Sequence, residues 1–155
     1  MISFMMAVWR LFIGGNVLDI TLSTQEEDDN LCGAHCSKMV FDHFGLHYTI
    51  RDLKHSLSIS EEGVGEGRIA WLFKVRGFRV RRIDHPTLGR MIWELCMGRM
   101  ILISTNKGTH HAIVYGYRDG DVFVADSLER GLKRYCTGEF YQKWDSDYIV
   151  AIGGS

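Results

Sequence analysis

Cysteine is scarce in this chain. Cys32, Cys36, Cys96 and Cys136 are the four among 155 residues, too few to staple a domain of this length, so a reducing compartment is expected and the cytoplasm is the expected location. Basic excess is missing too: 18 Lys and Arg stand against 19 Asp and Glu, for a net charge of −1. Dedicated nucleic-acid and membrane-surface proteins usually carry strong positive charge, so no nucleic-acid partner is expected. A long apolar run is absent as well. Phe4 to Trp9 is cut by Arg10, far short of the roughly 20 residues a spanning helix needs, and it lacks the basic start of a signal peptide. Residues 1–16 are read as an apolar arm that docks on the domain or contacts a partner or membrane. No internal repeats, low-complexity tracts or linkers interrupt the remainder, so residues 17–155 are read as one domain.

What is present is enough for a core: 46% of the residues are hydrophobic and 24% charged, the mix of a compact domain that needs no staples. The local basic run of Lys74, Arg76, Arg79, Arg81 and Arg82 reads as a solvated face. After the turn signal Gly14-Gly15-Asn16, Val17 to Leu22 reads as a strand, and the polar loop from Gln25 to Asp29 leads to a helix opened by Cys32 and stopped by Gly45. Thr49 caps a second helix with Ile50, Leu53 and Leu57 on one face. A third follows the loop Gly63 to Gly67 and turns Ile69, Leu72 and Phe73 inward. A strand at Phe78, Val80 and Ile83 precedes a fourth helix begun by Pro86-Thr87. From Ile101 the period changes. Ile101 to Thr105, His110 to Tyr117, Val122 to Asp126 and Tyr148 to Ile152 read as strands, with a short helix from Thr137 to Trp144. The expected class is α+β, a helical half packed against an antiparallel sheet, with chemistry at the seam.

Cys32 is the candidate nucleophile. At a helix start, backbone N–H groups and the positive end of the dipole favour thiolate, and Gly33 lets a substrate backbone approach the sulfur. A buried structural cysteine is the competing reading. Zinc is a second competitor, because Cys32, Cys36, His43 and His47 fall near one helix face, but no Cys-x-x-Cys knuckle is present; no metal and no cofactor are expected.

A cysteine nucleophile needs a base and a group to orient it. Both are sought on the hairpin from His110 to Asp126. If Asp119-Gly120 is a two-residue turn, Arg118 pairs with Asp121 and His111 shares the face of Asp126. If Arg118-Asp119-Gly120 is a three-residue loop, His110 does.

Gln25, then Cys32-Gly33-Ala34-His35-Cys36, then His110, Gly116-Tyr117 and Val122 to Asp126 resemble the cysteine peptidase domain that trims double-glycine leader peptides in bacteriocin-exporting ABC transporters. The resemblance spans residues 17–152. It implies a papain-like fold, a triad of Cys32, His110 and Asp126, a second cysteine at Cys36, and an oxyanion glutamine at Gln25. His110 stands six residues before Gly116 and sixteen before Asp126, as in the family; His111 does not, so the resemblance favours His110 and the three-residue loop. Two departures stand out. Ser127 replaces the usual proline, and Gln25 lies seven residues before Cys32 where the family has six, a difference for a bulge in the acidic loop to absorb; otherwise Asn30 or the Cys32 N–H carries more of the oxyanion.

The resulting expectation is a cysteine peptidase acting on a peptide or protein substrate, with cleavage after Gly-Gly implied by the resemblance alone. Amidase, deamidase or acyl-transfer chemistry on the same triad is the enzymatic alternative, and a non-catalytic peptide-binding module of this fold is the other. The chain's own Gly14-Gly15 and Gly153-Gly154 read first as a turn and a flexible end, with self-cleavage after Gly15 the sharper alternative.

Overall fold

The computed structural model describes residues 5, 14–26, 30–105, 110–144 and 147–154. Nearly all of the apolar arm and residues 27–29 of the acidic loop lie outside them. Among the described residues the chain forms five helices, α1 (Cys32–His43), α2 (Ile50–Leu57), α3 (Glu66–Val75), α4 (Leu88–Cys96) and α5 (Thr137–Lys143). Seven strands accompany them: β1 (Asn16–Val17), β2 (Arg79–Asp84), β3 (Met100–Thr105), β4 (His110–Arg118), β5 (Asp121–Ala125), β6 (Lys133–Cys136) and β7 (Tyr148–Gly153). The sheet runs β2-β7-β3-β4-β5-β6, with β1 on β4, and every pairing is antiparallel.

Local chemistry sets the helix ends. Thr49 and Asp52 form a reciprocal capping box at the start of α2, and Thr87 accepts from the Arg90 N–H at the start of α4. Helices α1 to α3 bury Met39, Val40, Phe41, Leu53, Ile69 and Phe73 against one sheet face, where Leu102, Ile113 and Tyr115 point. The other face carries Ile103, Ala112, Val114 and Val124 against Met91 and Leu95 of α4 and Phe140 of α5. The sheet is therefore covered on both sides, and α1 enters with its first residue at the seam.

Four expectations are corrected by the ladder. The strand expected over Val17 to Leu22 is reduced to Asn16–Val17, followed by one bond from the Leu18 N–H to the Tyr115 carbonyl at 2.9 Å. Its neighbour explains this: β3 occupies the flank of β4 from His110 to Val114, leaving Gly116 and Tyr117 for β1. Strand β2, from the helical half, joins the sheet beside β7, so the division at Ile101 is not clean. Strand β6 was not anticipated, since an edge strand of alternating half-buried and exposed residues carries little apolar signal.

The fourth correction concerns the hairpin. Arg118 pairs with Asp121, and Asp119 and Gly120 have φ of 51° and 82°, a two-residue turn with both residues left-handed. That turn alone would favour His111. A bulge intervenes: Val114 opposes Val124 and Gly116 opposes Phe123, so Tyr115 is the extra residue and the faces exchange beyond it. Gly116 itself lies against β1, where a Cβ would come within 2.7 Å of the Val17 Cα. His110 thus reaches the face of Asp126 by a tight turn plus a bulge, not by a three-residue loop.

Candidate active site

Helix α1 begins on Cys32, and Leu31 at its N-cap has no side-chain acceptor to offer the first-turn N–H groups. Cys32 is 8% exposed and lines a cleft of about 410 Å³ together with Asn30, Gly63, Val64, Gly65 and His111. The chain that follows explains why the helix is held there, since Cys36, Met39 and Val40 are fully buried under it.

Across the seam, at the first residue of β4, His110 Nε2 lies 2.7 Å from Asp126 Oδ1. A carboxylate only accepts, so Nε2 carries the proton and Nδ1 is left for the Cys32 side chain, to which His110 is also hydrogen-bonded. Burial alone would lower the imidazole's pKa, but the hydrogen bonds and charges of Asp126 and Cys32 outweigh it and push it up to about 9. For Asp126 the balance runs the other way. Burial would raise its carboxyl, yet the bond from His110, the Leu128 N–H at 2.9 Å and the Lys143 charge hold it below the ordinary carboxylate value. Cys32, His110 and Asp126 therefore form one connected line at the seam.

Gln25 is joined to the same place through Ser127. Its N–H donates to the Ser127 carbonyl at 2.8 Å, and the Ser127 hydroxyl donates to its Oε1. Ser127 is fully buried beside Asp126. The position where the resemblance expected proline thus supplies an anchor for the glutamine that stands one residue out of place. No short-range pattern could have signalled it, because 102 residues separate the two. Asn30, the alternative oxyanion donor, has an amide N–H on the Glu61 carbonyl and ties the loop across the cleft.

The remaining candidates fall elsewhere. Burial, with Cys32 and Asp126 nearby, pushes the Cys36 thiol well up, which suits a packing residue. His43 turns to the Asp19 carbonyl and His47 to Asp42 at 2.9 Å, neither toward Cys32. A second cavity of about 480 Å³ adjoins His110 and Asp126 on the side of Tyr135, Lys143 and Trp144. A larger cavity, about 910 Å³, lies at α2 between Arg51 and Arg76 and contains none of the site residues. Gly15 packs against the Tyr117 carbonyl and Gly153 closes β7, so both Gly-Gly pairs have structural places. No helix among the described residues is long and apolar enough to cross a membrane.

Known proteins share the fold. The fold matches a double-glycine-motif protease from an AMS/PCAT transporter, solved with its leader peptide, at a TM-score of 0.72 and 13% identity over 90% of this chain and 95% of that one. A C39-like peptidase from Bacillus anthracis matches at 0.75 and 14% over 91% and 98%. The peptidase domain of Streptococcus ComA, a bifunctional ABC transporter of a quorum-sensing pathway, matches at 0.69 and 19% over 86% and 98%. These likenesses establish the papain-like fold. In sequence, the lactococcin-G-processing and transport ATP-binding protein LagD of Lactococcus lactis subsp. lactis is 26% identical over 125 residues, 77% of this chain. The match covers only 17% of that relative's length. The model of the peptidase C39 family itself aligns with residues 20–153, from Ile20, five residues before the glutamine, to the end of β7, and on that match this chain belongs to the peptidase C39 family.

Proposed function

We propose that this chain is an active cysteine peptidase that cuts peptides after paired glycines, with Cys32, His110 and Asp126 as its triad. The observation that carries the reading is the continuous line from the Cys32 sulfur through His110 to Asp126, opening on a cleft. The leader-peptide complex of the AMS/PCAT protease supports a peptide occupant for it. None of the four cysteines forms a disulfide, in keeping with a cytoplasmic setting.

Cys32 as thiolate attacks the carbonyl carbon of the second glycine, and the negative charge moves to the carbonyl oxygen. The Cys32 N–H at the helix start and the Gln25 amide, anchored by Ser127, hold that oxyanion. His110, protonated beside the sulfur, gives its Nδ1 proton to the departing amine as the C–N bond breaks, leaving a thioester on Cys32. Water then attacks the thioester, His110 takes its proton, and the C–S bond breaks to release the acid and regenerate the thiolate–imidazolium pair. Asp126 stays ionised throughout and keeps the ring oriented.

The test is a peptide series carrying Gly-Gly, Gly-Ala and bulkier pairs, read by mass spectrometry with wild type and Cys32→Ala. Cleavage after Gly-Gly by wild type only is the expected result. Equal cutting of the bulky pairs would leave a general cysteine hydrolase, and no cutting of any would leave a peptide-binding module.

A further inference from the structure

His111 points to the opposite sheet face from His110 and takes no part in the triad. It is 3% exposed, and its Nε2 donates to the Val64 carbonyl at 2.8 Å. Behind it stands a polar chain. Nδ1 lies 3.8 Å from Glu66 Oε1 and 3.5 Å from the Ser104 hydroxyl, and that hydroxyl donates to the same carboxylate oxygen. Glu66 also bonds the Tyr148 side chain, so the first residue of α3 is fixed to β3, β4 and β7 together. Buried polar groups are costly unless satisfied, and here their satisfaction is directed at one loop carbonyl.

That loop is the far wall of the catalytic cleft. The Val64 side chain sits directly over Gly33: a Cβ placed on Gly33 would overlap Val64 Cγ1 and come within 3.2 Å of Ile69 Cδ1. Val64 and Cys32 line the same cleft, with Gly63 and Gly65 on either side of the valine. Fixing the Val64 carbonyl fixes the direction of its side chain, and the side chain sets the width of the cleft beside the sulfur.

Resting on the peptidase reading, we propose that His111 is a positioning residue for substrate selection: it pins Val64 over Gly33, and this clamp excludes substrate side chains next to Cys32. Steric exclusion of this kind rejects a methyl group without adding contacts to glycine.

The experiment compares kcat and KM for peptides with Gly-Gly and Ala-Ala at the cut site in wild type, His111→Ala, His111→Gln and Val64→Ala. Losing one buried hydrogen bond to the loop is expected to raise KM of His111→Ala about tenfold with kcat within about threefold. The Gly-Gly over Ala-Ala preference is expected to fall at least about tenfold, the scale on which a pocket discriminates a methyl group. His111→Gln, whose amide N–H reaches toward the same carbonyl, is expected to restore both values, and Val64→Ala to relax the preference with His111 intact. An unchanged preference in both His111→Ala and Val64→Ala would overturn the proposal, as would a fall in kcat alone. If His111→Ala does not fold, Val64→Ala decides. A wild type that cuts no peptide defeats the peptidase reading only. The Cys32→Ala chain, with and without His111→Ala, is then titrated with the same peptides; a Gly-Gly preference in binding that His111→Ala abolishes upholds the clamp, and one that persists, or is missing at the outset, overturns it.

Discussion

Beside β2, the fully buried carboxylate of Glu94 accepts from Arg99 at 2.7 Å and Arg90 at 2.9 Å, with Arg81 at 4.0 Å. At the end of β5, Asp126 accepts from His110 at 2.7 Å. The two clusters look alike by charge and geometry, yet they can do different things. Arginine keeps its proton at any ordinary pH, so the Glu94 cluster ties α4 to Arg99, just before β3, and has no proton to exchange. The basic run itself is exposed at all five positions, as a solvated face should be, and only Arg81 reaches toward Glu94. Histidine can give and take a proton, and His110 touches a thiol that opens on a cleft. A buried charge pair becomes a candidate for chemistry when one member titrates and a nucleophile adjoins it.

The largest expected difference between the clusters is in turnover. His110→Ala should lower kcat/KM by about 10⁴, the scale for loss of a triad member, while Glu94→Gln leaves it within about twofold. A comparable loss from both would mean that the charge pairs act only through folding. Next comes the oxyanion. Gln25→Ala should lower kcat by about 10² to 10³ with little change in KM, since such a donor acts on the transition state, and Ser127→Ala should cost about tenfold by loosening the same amide. A silent Gln25→Ala would move the role to the Cys32 N–H and Asn30.

The pH dependence follows from the raised imidazole. His110 is protonated up to about pH 9, so kcat/KM should fall as pH rises through about 9, where the proton is lost. The same shift bears on stability. Because the folded value lies above the ordinary 6.5, the contribution of His110 is complete below about pH 6.5 and is lost as pH rises through about 9. Asp126, lowered from 3.8, contributes above that value and loses its contribution in acid. A urea midpoint that is flat from neutral pH to pH 10 in wild type would contradict this. The smallest expected effects are structural: Glu94→Gln should cost about 2 kcal/mol in urea unfolding, the worth of charged hydrogen bonds. Cys36→Ala should retain activity, with total loss in a folded variant as the contrary result.

Much of the site was legible because its signals are local. A helix opened by Cys32, the Thr49 and Thr87 helix starts and the apolar runs of β3 and β4 follow from neighbouring residues, and the resemblance singled out His110 by its spacing to Gly116 and Asp126. The route by which His110 gets there was not legible. The turn chemistry of Asp119-Gly120 speaks for two residues, and the bulge at Tyr115 that reverses its consequence sits where β1 crosses Gly116, a contact about one hundred residues away in sequence. The Ser127 anchor for Gln25 and the Val64 loop behind His111 are equally long-range. Edge elements failed for the reverse reason: β1 and β6 are short and half-exposed, so their residues carry little pattern to read.

The most direct measurement of the central claim is thiol reactivity. At pH 6, where an ordinary thiol is almost wholly protonated, a small alkylating agent is expected to label Cys32 much faster than Cys96, and His110→Ala is expected to remove that advantage. Labelling of Cys32 no faster than Cys96, or rapid labelling that survives His110→Ala, would contradict an imidazolium-activated nucleophile at the start of α1.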